Sequence, residues 1–253
     1  MSDPDLLLDL SDLCIKTAER TLVDGVSYSV RAGKVTAVIG HSGSGKSLSA
    51  RAAMGVLDVD PGLVRGSLRF PGWSGDRDWF EGVRGNGMKA QRRLLADTTI
   101  LRGGYLTYSP QSASSALNPG RTIGRQLEIA IGRRTKPATN IGQVVKDVLN
   151  EVGLPARAAY ALPRELSGGM AQRAALAIAI APQPRIMIAD EPETGLDPVL
   201  RRVVTELMLE VARKHGVGLM LISHNMDTVD RVADVVVKIV PVGSKPTLEG
   251  APV

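Results

Sequence analysis

Short runs of consecutive apolar residues punctuate this chain, and between them lie longer stretches whose apolar positions recur every third or fourth residue. "KVTAVIG" (34–40), "RIMIAD" (185–190), "GLMLISH" (218–224) and "ADVVVKIV" (233–240) are of the first kind. Unbroken apolar runs rich in β-branched residues predict buried strands. "KSLSARAAMGVL" (46–57), "GGMAQRAALAIAIA" (168–181) and "PVLRRVVTELMLEVARKHG" (198–216) are of the second kind and predict helices. Strands alternating with helices of this length predict an α/β fold with a parallel sheet.

Two regions break the alternation. Residues 70–104 carry many glycines and charges and predict a surface excursion with one helical piece at "GMKAQRRLLAD" (87–97). Trp73, Trp79 and Phe80 inside it read as local anchors rather than a binding box. "TIGRQLEIAIG" (122–132) and "IGQVVKDVLNEVG" (141–153) are helical again. They predict a helical subdomain inserted over 111–165, with 1–110 and 166–253 forming one core around it.

Composition narrows this picture. The 253 residues suffice for one domain with such an insertion. Aromatics make up only 3%, so the core must be Leu, Val, Ile and Ala, which suits a buried parallel sheet. The net charge of +5 permits an anionic partner without demanding one. Its cationic groups "KAQRR" (89–93) and "GRRTK" (132–136) are expected on solvated surface. The single Cys14 excludes an internal disulfide and is expected to be buried. The acidic start "MSDPDLLLDLSDL" lacks the basic flank of a signal peptide, and the near-apolar run "AALAIAIAP" is too short for a membrane span. A soluble, intracellular chain is expected, reaching a membrane only through a partner.

"GHSGSGKS" (40–47), between a strand and a helix, fits the phosphate-loop pattern G-x-x-x-x-G-K-[ST]. Its glycines let backbone N–H groups turn inward around a phosphate, and the following helix presents its positive end. Lys46 would reach the β- and γ-phosphates and the Ser47 hydroxyl would ligate Mg²⁺. ATP with Mg²⁺ is the expected ligand. Its contacts are assigned to Gly40, Ser42, Gly43, Ser44, Gly45, Lys46, Ser47 and Leu48. The side chains of His41 and Ser42 occupy variable positions and get no role of their own.

"RIMIADE" places Asp190 and Glu191 at the carboxyl end of a strand, where open α/β sheets bind ligands. Two acids there could merely begin a turn. Beside a phosphate loop, Asp190 can hold Mg²⁺ through water and Glu191 can orient the attacking water. His224 ends "GLMLISH" at the same edge; a lone histidine is more often structural, but this placement points to the γ-phosphate. Gln111 is weak on its own. "LSGGMAQR" (166–173) has bare backbone at a helix start, which suits an anion, yet no lysine. It cannot be a second complete nucleotide site.

The succession "GHSGSGKS", Gln111, "LSGGMAQR", "RIMIADE", "GLD" (195–197) and His224 resembles the ATPase subunits of ABC transporters over nearly the whole chain. The resemblance implies a single ABC ATPase domain over 1–253. It would have a P-loop NTPase (RecA-like) parallel-sheet core, an antiparallel β subdomain and the inserted helical subdomain. It also implies a head-to-tail dimer with a second ABC ATPase subunit, identical or paralogous. Ser167, Gly168 and Gly169 of one subunit would close over the γ-phosphate held by Lys46 of the other, with Gln172 among the nucleotide contacts and Asp197 in the seam. Glu191, His224 and Lys46 would be catalytic, and Ser47, Gln111 and Asp190 would serve the metal.

"LRGGYLTYSPQSASSALNPGRTIGRQL" (101–127) is similar to the glutamine-loop region of the nickel, dipeptide and oligopeptide importer ATPases. That implies import of peptide, nickel or metal-chelate solutes, two membrane permease subunits and an extracytoplasmic solute-binding protein. The chain would work at the cytoplasmic membrane face, with its helical subdomain receiving a permease coupling helix and no nucleic acid involved. Alternatives are an ABC ATPase of a soluble complex, such as carbon–phosphorus bond cleavage machinery, or a nucleic-acid-associated ATPase. Co-purifying partners would separate the three.

Three departures stand out. The family stacks adenine on an aromatic residue before the phosphate loop; the equivalent position here falls near Ile15, which predicts weaker base binding, with Arg20 able to compensate. Glu193 stands where the family has threonine or serine, and reads as a solvated change. The chain runs only from His224 to Val253 beyond its last motif, where relatives often carry longer tails, so no tail-based regulation is expected.

Overall fold

The computed structural model describes residues 3–111 and 116–243. Strands β1 (Leu6–Thr17) and β2 (Thr21–Arg31) form a hairpin, and β4 (Pro61–Arg69) pairs with the other edge of β1 in an antiparallel sheet. The hairpin turn is closed by Thr17, whose N–H donates to Arg20 O (2.8 Å) while its Oγ1 accepts from the Glu19 and Arg20 N–H groups. Five parallel strands form the second sheet: β3 (Val35–Ile39), β5 (Leu106–Ser109), β6 (Ile186–Asp190), β7 (Gly218–Ile222) and β8 (Val235–Lys238). Their order is β5-β6-β7-β3-β8.

Side chains alternate across a strand, and both faces of this sheet are covered. Ile186, Ile188, Met220 and Ile222 pack with the antiparallel sheet and helix α1 (Lys46–Ala53). Met187, Ala189, Leu219 and Leu221 face the other way. There they meet α5 (Gly168–Ile180) and α6 (Pro198–His215). Helices α3 (Ile123–Ile131) and α4 (Ile141–Glu151) extend that second core through Leu127, Ile131, Val148 and Leu149. Each starts on a side-chain cap: Thr122 accepts from Arg125 N–H, and Asn140 accepts from Gln143 N–H.

Three expectations change. The apolar run of β8 is an edge strand, with Val235 and Val236 about half exposed, rather than a buried one. The four-residue β5 has no apolar run to announce it and adds the opposite edge. Residues 70–104 are more than a surface excursion. Helix α2 (Gly87–Asp97) lies where it was predicted, but Phe70, Trp79, Phe80 and Leu101 are buried in the first core. Phe70 meets Trp79 and Tyr105 edge-on, with ring centroids 6.0 and 6.1 Å apart. Trp73 stays largely exposed, 5.3 Å from Tyr105. Cys14 is buried as expected, and burial pushes its thiol pKa up. Among the described residues no helix is long and apolar enough to cross a membrane. Of "YSPQSASSALNP", residues 112–115 lie outside the described residues.

Candidate nucleotide site

The carboxyl ends of β3, β6 and β7 converge on the loop that leads into α1. The loop's glycines answer to the chain's own packing. A Cβ on Gly40 would lie 2.4 Å from Ile239 O, and one on Gly45 would lie 2.6 Å from Val23 Cγ2. Gly43 and Gly45 also hold φ values of 79° and 96°, open to glycine at no steric cost. Gly45 caps α1 without any side-chain hydrogen bond, so no side-chain cap covers the first N–H groups of the helix. The Lys46 ammonium is buried and donates to Gly40 O (2.8 Å) and His41 O (3.1 Å).

Asp190 is buried, and both its oxygens are engaged. Ser47 Oγ donates to Oδ1 (3.1 Å) and Tyr108 OH donates to Oδ2 (2.9 Å). Burial, and then the neighbouring Asp190 charge, push the Tyr108 phenol well above its ordinary pKa, so it remains a donor. Glu191 takes a left-handed φ of 47°, a conformation that costs a non-glycine residue about 1 kcal/mol. Its N–H donates to Ile222 O (2.9 Å), which fixes that turn against β7. Three groups converge on Glu191 Oε2: Gln111 Nε2 at 3.1 Å, Thr194 Oγ1 at 3.3 Å and His224 Nδ1 at 3.4 Å.

A cleft of about 400 Å³ is lined by Leu22, Ser42, Gly43, Gly45, Lys46, Ser47, Leu48, Gln111, Asp190 and Glu191. A neighbouring cleft of about 780 Å³ includes Gly40 and His224 and shares Ser42, Lys46 and Glu191 with it. These residues fit a nucleoside polyphosphate with Mg²⁺. An uncapped helix start and a buried lysine suit phosphate. The Ser47 hydroxyl and Asp190 carboxylate form an all-oxygen set, which suits a hard dication shared with phosphate oxygens.

The remaining predicted residues lie elsewhere. Ser167, Gly168, Gly169 and Asp197 line neither cleft. Ser167 caps α5 by accepting from Met170 N–H (3.3 Å), and Asp197 caps α6 by accepting from Val199 and Leu200 N–H (both 3.0 Å). A Cβ on Gly169 would lie 3.0 Å from both Leu200 methyl groups, whereas one on Gly168 would meet nothing within 4 Å.

Some readings need correction. Gln172 is buried inside the chain, its amide donating to Pro192 O (2.5 Å), so it ties α5 to the loop after β6 and is not presented as a ligand contact. Ser44 is turned inward: its side chain is buried, and its N–H donates to His41 O (3.1 Å). Ile15 has no exposed surface; it pairs with Val23 and Leu63 inside the antiparallel sheet, so it cannot contact a base. Arg20 is exposed in the hairpin turn beside it. Glu193 is buried, not solvated. Tyr108 escaped the sequence reading because nothing marks it in a strand of four residues; only its register opposite Ile188, two positions before Asp190, brings its hydroxyl to the acid.

A glycine loop between a parallel strand and a helix, with a lysine, a serine and a strand-end aspartate meeting above it, defines a P-loop NTPase. The family model for ABC transporters matches residues 23–194. The chain belongs to the ABC transporter family, as an ATP-binding cassette. It is 35% identical to the dipeptide transport ATP-binding protein DppD of Escherichia coli over 83% of this chain and 61% of that protein. It is also 35% identical to the oligopeptide transport ATP-binding protein OppD of Lactococcus lactis subsp. cremoris, over 83% of this chain and 59% of that one. The chain thus spans about six tenths of the length of these relatives. The dimeric structure of the bacterial ABC transporter cassette MJ0796 shares its fold, with a TM-score of 0.72 at 20% identity over 97% of this chain and 100% of the other.

Proposed function

We propose that the chain is the ATP-hydrolysing subunit of an importer for peptides, within the wider peptide, nickel and metal-chelate class. The peptide cargo is taken from the names of DppD and OppD. One observation carries the reading. The phosphate-loop cleft gathers Lys46, Ser47, Gln111, Asp190 and Glu191, with His224 in the adjoining cleft, while the exposed Ser167 and Gly168 line neither. A chain built this way holds a nucleotide but leaves its γ-phosphate to be closed over by a second ATPase subunit, identical or paralogous.

In this mechanism Lys46 and the start of α1 hold the β- and γ-phosphates. Ser47 and Asp190, with Gln111 beside them, would hold Mg²⁺, which when bound would neutralise charge on the phosphate oxygens. Glu191 accepts a hydrogen bond from the attacking water and orients it in line with the γ-phosphate. His224 and Gln111 both meet Glu191 at Oε2 and hold that carboxylate oxygen in place. Ser167 and Gly168 of the second subunit supply the last donors, and Asp197 lies in the seam between the two.

The helical segment 111–165 is the inserted subdomain in this reading. Between β5, α3 and α5 runs a groove of about 410 Å³ whose walls include Leu106, Ile129 and Ala179 beside Arg102, Arg121 and Arg133. An apolar floor with cationic walls suits a short amphipathic helix with acidic flanks, such as a permease would offer. The chain would act at the cytoplasmic membrane face, held there by two permease subunits and served by a solute-binding protein.

Glu191→Gln tests the mechanism. ATP affinity should persist, turnover should fall about 100-fold or more, and an ATP-loaded dimer should accumulate on size exclusion. Hydrolysis at the unaltered rate would remove Glu191 from the reaction.

A further inference from the structure

We propose that Glu193 is a positioning residue that holds the His224 segment in register with Glu191, an inference resting on the hydrolytic reading above. A carboxylate out of contact with water is costly unless its oxygens are satisfied. Glu193 is only 4% exposed, and among the described residues its oxygens meet hydroxyl groups rather than an ion pair. Ser223 Oγ donates to Oε1 and Thr228 Oγ1 donates to Oε2 (2.8 Å). These two donors flank His224 on either side.

The flanking segment is bonded within itself as well. Ser223 Oγ accepts from Asn225 N–H (3.0 Å), and Asn225 Oδ1 accepts from Thr228 N–H (3.3 Å). Glu193 therefore grips a preformed turn and not a loose hydroxyl. Its own backbone is tied two residues beyond Glu191, where Thr194 N–H donates to Glu191 O (3.1 Å) and Leu196 N–H donates to Glu193 O (3.2 Å). The β6–β7 ladder ends at the bond from Glu191 N–H to Ile222 O, and the Glu193 side chain continues the connection past the strand ends.

The His224 side chain is 63% exposed, so its own packing does not hold it near Glu191 Oε2. Its place at 3.4 Å depends on the backbone that carries it. The carboxylate presents its two oxygens separately, Oε1 to Ser223 and Oε2 to Thr228. The glutamate thus answers a geometric need of this turn.

The experiment compares kcat and KM for ATP, with Mg²⁺, in the full chain and in Glu193→Ala, Glu193→Gln, His224→Ala and the Glu193→Ala/His224→Ala double variant. Glu193→Ala should lower kcat about tenfold with KM changed less than about twofold. Glu193→Gln, which still accepts one hydroxyl bond and donates another, should recover most of that loss. In the His224→Ala background Glu193→Ala should cost nothing further, because its effect passes through the histidine. If Glu193→Ala does not fold, Thr228→Val takes its place in the same cycle, with a smaller loss that also vanishes without His224. An undiminished kcat, or equal losses in both backgrounds, overturns the positioning role. A parent chain that neither binds nor hydrolyses ATP overturns the hydrolytic reading itself, which a wild-type control reveals first.

Discussion

Helices α1 and α5 both begin at glycines, and they begin differently. At α1 the glycines are demanded from within: a Cβ on Gly40 or Gly45 would strike Ile239 or Val23. The loop also folds on itself, with Lys46 bonded to two of its carbonyls. At α5 the first helical residue, Gly168, has open space where a side chain would stand, and nothing among the described residues requires glycine there. Gly169 is intermediate: a Cβ there would press on the Leu200 methyl groups at 3.0 Å. A glycine that its own fold does not need points to a requirement outside that fold. In the reading proposed above, the contrast divides "LSGG" between one glycine that packs and one left for a second subunit's nucleotide.

Adding a single side chain at each site would break or sharpen this contrast. Gly45→Ala should have the largest effect. Overlap with Val23 and a left-handed backbone would force the loop to shift from its phosphate-binding geometry, so nucleotide affinity should fall about a hundredfold in isothermal titration. Retained affinity would mean that the loop tolerates side chains and that the contrast is illusory. Gly168→Val should leave chain stability within about 0.5 kcal/mol and nucleotide affinity unaltered, since it meets only solvent in its own subunit. ATP turnover should nonetheless fall about tenfold, because the valine would meet the triphosphate of the other subunit. Full turnover would show that Gly168 serves nothing. Tyr108→Phe should have the smallest effect. Losing one donor to Asp190 should raise the Mg²⁺ concentration needed for half-maximal nucleotide binding by about threefold. Because the raised Tyr108 pKa keeps the phenol protonated, that difference should be the same at pH 6 and pH 8.

Much of the fold was legible because its core strands are short, apolar and enclosed. "RIMIAD" and "GLMLISH" became β6 and β7, buried along their whole length. α2 lay where "GMKAQRRLLAD" put it. β5 was not legible because three of its four residues carry hydroxyls, and its partner in the sheet lies far along the chain. Trp79 and Phe80 were read as local anchors, and their reach into the main core was hidden by the glycines and charges around them. In the site, the phosphate loop and the strand-end acids were readable because each is a contiguous pattern. Glu193 was misread for the opposite reason. Its partners lie 30 and 35 positions away, and only the folded turn brings Ser223 and Thr228 to it. Ile15 shows the same limit: an alignment of motifs placed it near a base, while strand pairing placed it inside the sheet.

The grip of Gly40 and His41 on the Lys46 ammonium has a consequence for how fast and how selectively a polyphosphate is captured. A free lysine side chain carries about 2 kcal/mol of rotamer entropy, and here that freedom has been surrendered during folding. The arriving anion meets a cation already aimed, and its association is spared the ordering step that a swinging side chain would impose. Held by two carbonyl dipoles, the ammonium also yields only to a stronger acceptor. Weak monoanions should therefore leave it where it is, and a triphosphate should draw it out.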